Sequence, residues 1–231
     1  MTYDQIFAAY YALYRAEAQT PSSTDDEYII GLQYANNAIN RWANYDATYW
    51  KELFTTLQLS TQVSPALVKT LSTGISTYTA PTDMREAGGF VKVLSSTGTV
   101  IQTYPIIEAQ EAQFRDSQDT YCYFTGNPTA GFTMNLNPAP TDNLNGLNFD
   151  YVYYKKATEF TTGSSTTEMA NPYFIVHHML YPRFRASRNP YVNSALRDAE
   201  EALKNMQQDN NSGTWANPWS VSDNSNTQFG E

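Results

Sequence analysis

Side chains able to do chemistry are few in this chain, and their spacing argues against most of it. The two histidines, His177 and His178, are sequence neighbours. Adjacent helical side chains point about 100° apart, so the two imidazoles are poorly placed to share a metal; one is expected to pack and the other to face solvent or a neighbour. The one cysteine, Cys122, stands in an apolar aromatic run and reads as a core residue rather than a reactive thiol. Glu108 and Glu111 lie one helical turn apart, as acid–base pairs do, but on a short surface segment such carboxylates are solvated. Asp25, Asp26 and Glu27 fall in a helix first turn, where negative charge complements the macrodipole, and they lack partners at metal-ligating spacing. Gly88-Gly89 is followed by neither Lys-Ser/Thr nor a helix, so it is no phosphate loop. Arg183, Arg185 and Arg188 cluster near an expected helix end, where they complement the dipole or meet an acidic partner or passing DNA. Hydrolase and zinc-peptidase signatures are missing from the sequence. No catalytic residue, metal site or cofactor is therefore assigned, and the protein is not expected to be an enzyme.

The composition narrows the alternatives. The 231 residues fit one large or two small domains, and 41% apolar content suffices for a core. Only 16% of residues are charged, while tyrosine alone accounts for 18. A surface poor in charge and rich in Tyr, Asn, Thr and Ser suits packing against other proteins, because tyrosine gives a large contact area with a polar tip; a secreted β-rich domain shares this composition. The net charge of −9 opposes wrapping nucleic acid, which needs a basic footprint, yet suits a wall past which DNA slides. No signal peptide is evident, and no apolar run approaches the roughly 18 residues that span a bilayer.

The elements follow from periodicity. Residues 3–19 read as a helix with Ile6, Tyr10 and Leu13 on its apolar edge, broken by Thr20-Pro21. Thr24 and Glu27 form a capping box that opens a second helix carrying Tyr28, Leu32, Ala35, Ile39 and Trp42. A third helix is expected from Asp46 through Tyr49, Trp50, Leu53, Phe54 and Leu57. Residues 58–78 form a polar connector. Phe90–Leu94 and Val100–Thr103 flank Ser-Ser-Thr-Gly as a hairpin. Three strand-like runs follow: Tyr121–Thr125, Phe132–Leu136 and Leu147–Lys155, separated by Gly126-Asn127-Pro128 and by Asn137-Pro138-Ala139-Pro140. Alternation places Phe132, Met134 and Leu136 on one inward face and Leu147, Phe149, Tyr151 and Tyr153 on another, as in a small antiparallel meander. Asn171-Pro172 starts a helix that Pro182 should kink or end, and Val192, Ala195, Leu196, Ala199, Leu203 and Met206 stripe the next. The segment 209–231 is polar, with Trp215, Trp219 and Phe229 as its only large anchors. It buries too little apolar area to fold alone, so the three aromatics are candidate partner-binding residues on an extended arm.

Read in order, these pieces resemble a known family. A Tyr-rich strand, the Gly126-Asn127-Pro128 turn, a strand ending in Pro138-Ala139-Pro140 and a strand ending in Tyr153-Tyr154-Lys155-Lys156 are similar to the β-region of head-to-tail adaptor proteins of tailed bacteriophages, also called connector, head-completion or tail-tubular proteins. Upstream, Tyr78-Thr79-Ala80-Pro81-Thr82-Asp83-Met84-Arg85 resembles that family's Tyr-x-Leu-Pro-x-Asp-Phe-Arg lead into the sheet, with Ala80 and Met84 in place of Leu and Phe. The polar loop 161–167 and the Asn-Pro helix start agree as well, so the likeness covers roughly residues 75–205.

The expected fold is α+β. Residues 1–74 and 158–208 build a helical bundle, residues 75–157 an inserted small antiparallel β-domain, and residues 209–231 an extended C-terminal arm. The resemblance implies a structural virion protein of the neck, assembled in the host cytoplasm. Its copies would form a ring, usually twelve-fold, between the portal protein and the tail nozzle or tail-tube protein. The ring would seal the channel through which genomic DNA passes without specific binding. Partner contacts are placed on Trp215, Trp219 and Phe229, and on Arg183 and Arg185. From other classes, a glycan- or receptor-binding tail module would use the Tyr and Trp faces, but such modules are usually all-β. A cell-wall hydrolase would need scattered carboxylates that no motif here marks.

Overall fold

A computed structural model describes residues 1–15, 21–60 and 67–212, and these fall into two compact units. Among the described residues, one unit holds Met1–Leu53 and 156–212, and the other holds Phe54–Lys155.

The first unit is helical. Helix α1 (Tyr3–Arg15) turns Tyr3, Ile6, Phe7 and Tyr10 inward, each 1% exposed or less. Its first amides are not orphaned: Tyr3 and Asp4 donate to the carbonyls of Ser165 and Gly163 at 2.9 and 3.0 Å. Helix α2 (Asp26–Ala43) follows Asp25 rather than Thr24, because Asp25 takes the extended cap conformation and its carboxylate accepts from the Ser22 amide at 2.7 Å. The expected capping box is therefore not formed. Gly31 of α2 lets the two helices touch: a Cβ there would lie 2.6 Å from the Phe7 ring and 2.9 Å from the Tyr3 hydroxyl. Helix α3 (Tyr173–Ala186) starts where the Asn171 carboxamide oxygen accepts from the Tyr173 amide at 3.2 Å, and it runs on through Pro182 for four further residues. It packs against α1, α2 and helix α4 (Val192–Ser212). No helix among the described residues is long and apolar enough to cross a membrane.

The second unit is a seven-stranded sheet among the described residues. Its strands are β1 (Phe54–Thr56), β2 (Thr77–Thr79), β3 (Met84–Leu94), β4 (Val100–Ile107), β5 (Tyr121–Asn127), β6 (Gly131–Asn137) and β7 (Asn148–Lys155). The spatial order is β1-β7-β3-β4-β5-β6-β2. All neighbours are antiparallel except β4 and β5, which pair in parallel with Ile106 opposite Cys122. Residues 108–120 supply the dozen or so residues that a parallel connection needs. The inward faces alternate as the sequence suggested: Val91, Val93, Tyr104, Cys122, Phe149 and Tyr153 are each 1% exposed or less.

This corrects the expected fold class. The β-region is not a small antiparallel insert in a helical bundle; it is a large mixed sheet with a core of its own, and strands supply much of the buried interior. It begins at Phe54, inside the segment expected to be a third helix. Phe54–Thr56 instead pairs with Val152–Tyr154, so backbone pairing overrides a helical spacing of apolar residues. The meander is corrected too. The strands β5 and β6 form a hairpin, but β7 lies between β1 and β3, while β2 occupies the outer edge of β6. Alternation sets which face a strand buries; it carries no information about which neighbour the strand takes.

Candidate functional site

The groups with chemical potential are spread out, and the structure occupies most of them with packing. Cys122 is fully buried, and burial pushes its thiol well above the ordinary range, which makes it inert. Glu111 pairs with Arg115 one turn along, leaving Glu108 in an exposed turn. His178 lies against Phe174, ring centroids 5.6 Å apart. Burial, and then the Arg41 cation, pull its pKa down to about 4, so the imidazole is neutral at neutral pH. No cluster of three or more metal-ligating side chains exists among the described residues.

Of the candidate partner-binding residues, two can be placed. Arg183 is half-buried, with its guanidinium 5.6 Å from the Tyr34 ring centre and 5.9 Å from that of Tyr14. Burial pushes the Tyr10 hydroxyl up to about 12, and the nearby Arg183 cation pulls the other way. Arg185, two residues on, is exposed. Trp215, Trp219 and Phe229 lie outside the described residues.

The motif that carried the family resemblance acts within the fold. The Tyr78 hydroxyl accepts from the Ser72 amide at 3.0 Å, and Ala80 and Met84 are buried. Pro81 opens a tight turn closed by the Met84 amide on the Pro81 carbonyl at 3.0 Å. Asp83 receives the Tyr153 hydroxyl of β7 at 3.1 Å. The run 78–85 thus ties β2 and β3 to the centre of the sheet.

Sequence reasoning missed the apolar groups that the sheet unit leaves in water. Phe90 of β3 and Ile101 of β4 are each 51% exposed, and Phe114, in the crossover between β4 and β5, is 89% exposed. Phe90 has the outward phase beside inward Val91 and Val93, so alternation would have found it. On the helical unit Tyr173 and Tyr191 stand out at 55% and 67%. Such residues supply contact area at protein interfaces.

No curated protein matches the chain. The family model described as SU10 adaptor protein matches residues 1–222, nearly the whole length and well beyond the part that carried the resemblance. The chain belongs to the SU10 adaptor protein family, and with it to the structural adaptor proteins of phage particles.

Proposed function

We propose that the protein is the head-to-tail adaptor of a phage neck, copies of which close into a ring, twelve-fold as is usual for such proteins, between the portal protein and the tail nozzle or tail-tube protein. The observation that carries this reading is the family match over residues 1–222. The ring seals the DNA exit after packaging and gives the tail its platform, after assembly in the host cytoplasm. Genomic DNA passes without specific binding, a role that the net charge of −9 favours.

In this reading the helical unit forms the body, the sheet unit Phe54–Lys155 faces the tail, and the arm beyond Ser212 grips the portal through Trp215, Trp219 and Phe229. Arg185, exposed, and its neighbour Arg183 offer charge to an acidic partner or to DNA. The exposed Phe90, Ile101 and Phe114 add apolar contact area.

Native mass spectrometry of the purified chain, alone and with cognate portal rings, tests the proposal. The expected result is a multi-copy ring on the portal, lost on deletion of 213–231 while residues 1–212 stay folded. A monomer indifferent to the portal would overturn the reading and favour a glycan-binding tail module.

A further inference from the structure

Between α2 and β1 the chain forms a strap, residues 44–53, held in an unusual way. Asp46 and Ala47 both have left-handed backbone, with φ of 45° and 50°. Neither residue is glycine, and alanine in particular has no side chain that would compensate. What keeps the strap in place comes from the end of α4. Asn210 is the one buried polar residue among those described, 5% exposed, and it spends both ends of its carboxamide on strap backbone. Its nitrogen donates to the Tyr49 carbonyl at 2.9 Å, and its oxygen accepts from the Lys51 amide at 2.9 Å. One turn earlier, the Gln207 amide donates to the Thr48 hydroxyl at 2.9 Å. Trp50 is thereby seated against Trp42, ring centroids 5.4 Å apart, with its indole N–H on the Trp42 carbonyl at 2.7 Å. Closure leaves the buried Glu52 Oε2 and Trp42 Nε1 without hydrogen-bond partners.

The strap is therefore strained in its own backbone and closed by side chains from outside it. Those side chains stand on successive turns of α4, within its described span Val192–Ser212. Asn210 and Gln207 reach the strap only while those turns are wound.

We propose that the turns of α4 bearing Gln207 and Asn210 are a latch on the 44–53 strap, so that a partner which unwinds them releases the strap, and the strap's state in turn biases those turns. The latch does not depend on the proposed ring or portal contact, so its failure and theirs are separately visible.

Hydrogen exchange on the full chain, read at the amides of residues 48–53, tests it. Asn210→Ala is expected to speed exchange of the Lys51 amide at least tenfold, with the amides of α1 changed less than twofold. Gln208→Pro leaves the latch side chains in place but unwinds the turn, and is expected to release the strap to a similar extent. Ala47→Gly relieves the left-handed strain and cannot touch the latch; it is expected to slow strap exchange at least threefold, which keeps the test open should either other variant fold poorly. An unchanged Lys51 amide in Asn210→Ala, equal acceleration throughout the helical unit, a protected strap in Gln208→Pro, or faster exchange in Ala47→Gly would each overturn the latch.

Discussion

Among the described residues the helical unit buries four tyrosines and two tryptophans and the sheet unit six tyrosines, but the two treat the polar atoms of their cores differently. In the sheet unit the inward hydroxyls find partners in the loops. Tyr78 serves the Ser72 amide and Tyr153 serves Asp83, while the Gln58 side chain donates to the Phe149 carbonyl at 2.7 Å. Among described residues only the Tyr104 hydroxyl is buried there without a partner. Among the described residues the helical unit leaves five such atoms: Tyr10 Oη, Trp42 Nε1, Glu52 Oε2, His178 Nδ1 and Arg183 Nε. The difference follows from backbone geometry. A helix consumes its own amides and carbonyls, so a side chain buried between helices meets few free partners, whereas a sheet's loops bring unpaired backbone to the ends of inward side chains. The sheet unit is thus the better-satisfied core, and the helical unit the one with unmet polar demand.

The largest expected effect breaks the sheet core. Phe149 of β7 is 1% exposed and packs on Tyr78, ring centroids 5.1 Å apart. Phe149→Ala should cost ~3–5 kcal/mol, seen as a lowered midpoint in denaturant unfolding. A loss under ~1 kcal/mol would contradict its place at the centre of that core. On the helical side the corresponding break is overpacking. Gly31→Ala places a methyl group 2.6 Å from the Phe7 ring, and should cost ~1–3 kcal/mol. Measured helix propensity alone would make the same change favourable by ~1 kcal/mol, so the sign of the change decides whether the close approach is real.

How much of this was legible before the structure turns on particular residues. The inward faces of β6 and β7 were legible because alternation is local: Met134, Leu136, Phe149, Tyr151 and Tyr153 are all buried. The partners of those strands were not, since β7 pairs with Phe54–Thr56, nearly a hundred residues away in sequence. That pairing is also why the expected third helix is absent: Trp50, Leu53, Phe54 and Leu57 have helical spacing, but the strap and β1 divide them between two units. The asparagines were legible only as composition. Asn36 exchanges two hydrogen bonds with the backbone of Phe160, at 3.0 and 2.8 Å, and Asn210 does the same for the strap. Asparagines that the composition places on the surface therefore act in part as clamps between distant stretches of backbone. For the site, the motif 78–85 pointed to the right family, although its side chains serve the sheet. Arg183 and Arg185 looked alike in sequence, but a two-residue step on a helix sends one into a nest of tyrosine rings and the other into water.

A third test sharpens the comparison through pH. His178 is held neutral, with its pKa lowered from 6.5 to about 4 by burial and by Arg41. The unfolded chain binds this proton as pH falls below ~6.5, while the folded chain resists until about 4. Stability contributed by His178 is therefore complete above ~6.5 and is lost progressively between there and 4. Because the ring is only half-buried, solvent cuts the loss to ~1–2 kcal/mol. His178→Gln should flatten that part of the stability–pH curve, as measured by denaturant unfolding at a series of pH values; an unchanged slope would remove His178 from the helical unit's unmet polar demand.

The smallest effects discriminate best, because two chemically identical changes should differ. Tyr3 donates its hydroxyl to the Tyr28 carbonyl at 2.8 Å, while the Tyr104 hydroxyl has no partner. Both side chains are fully buried, so area and packing are nearly matched. Tyr3→Phe removes a made bond to a carbonyl inside α2, for a loss of ~1 kcal/mol. Tyr104→Phe removes a desolvated group that gained nothing in return, and should be neutral or stabilising by up to ~1 kcal/mol. The pair also separates the unit averages from the local rule. Tyr3 is a satisfied hydroxyl in the poorly satisfied unit, and Tyr104 an orphan in the well-satisfied one. If stability followed the unit rather than the individual hydrogen bond, Tyr104→Phe would cost more than Tyr3→Phe. The expected order is the reverse, and thermal unfolding of the two variants side by side reads it directly.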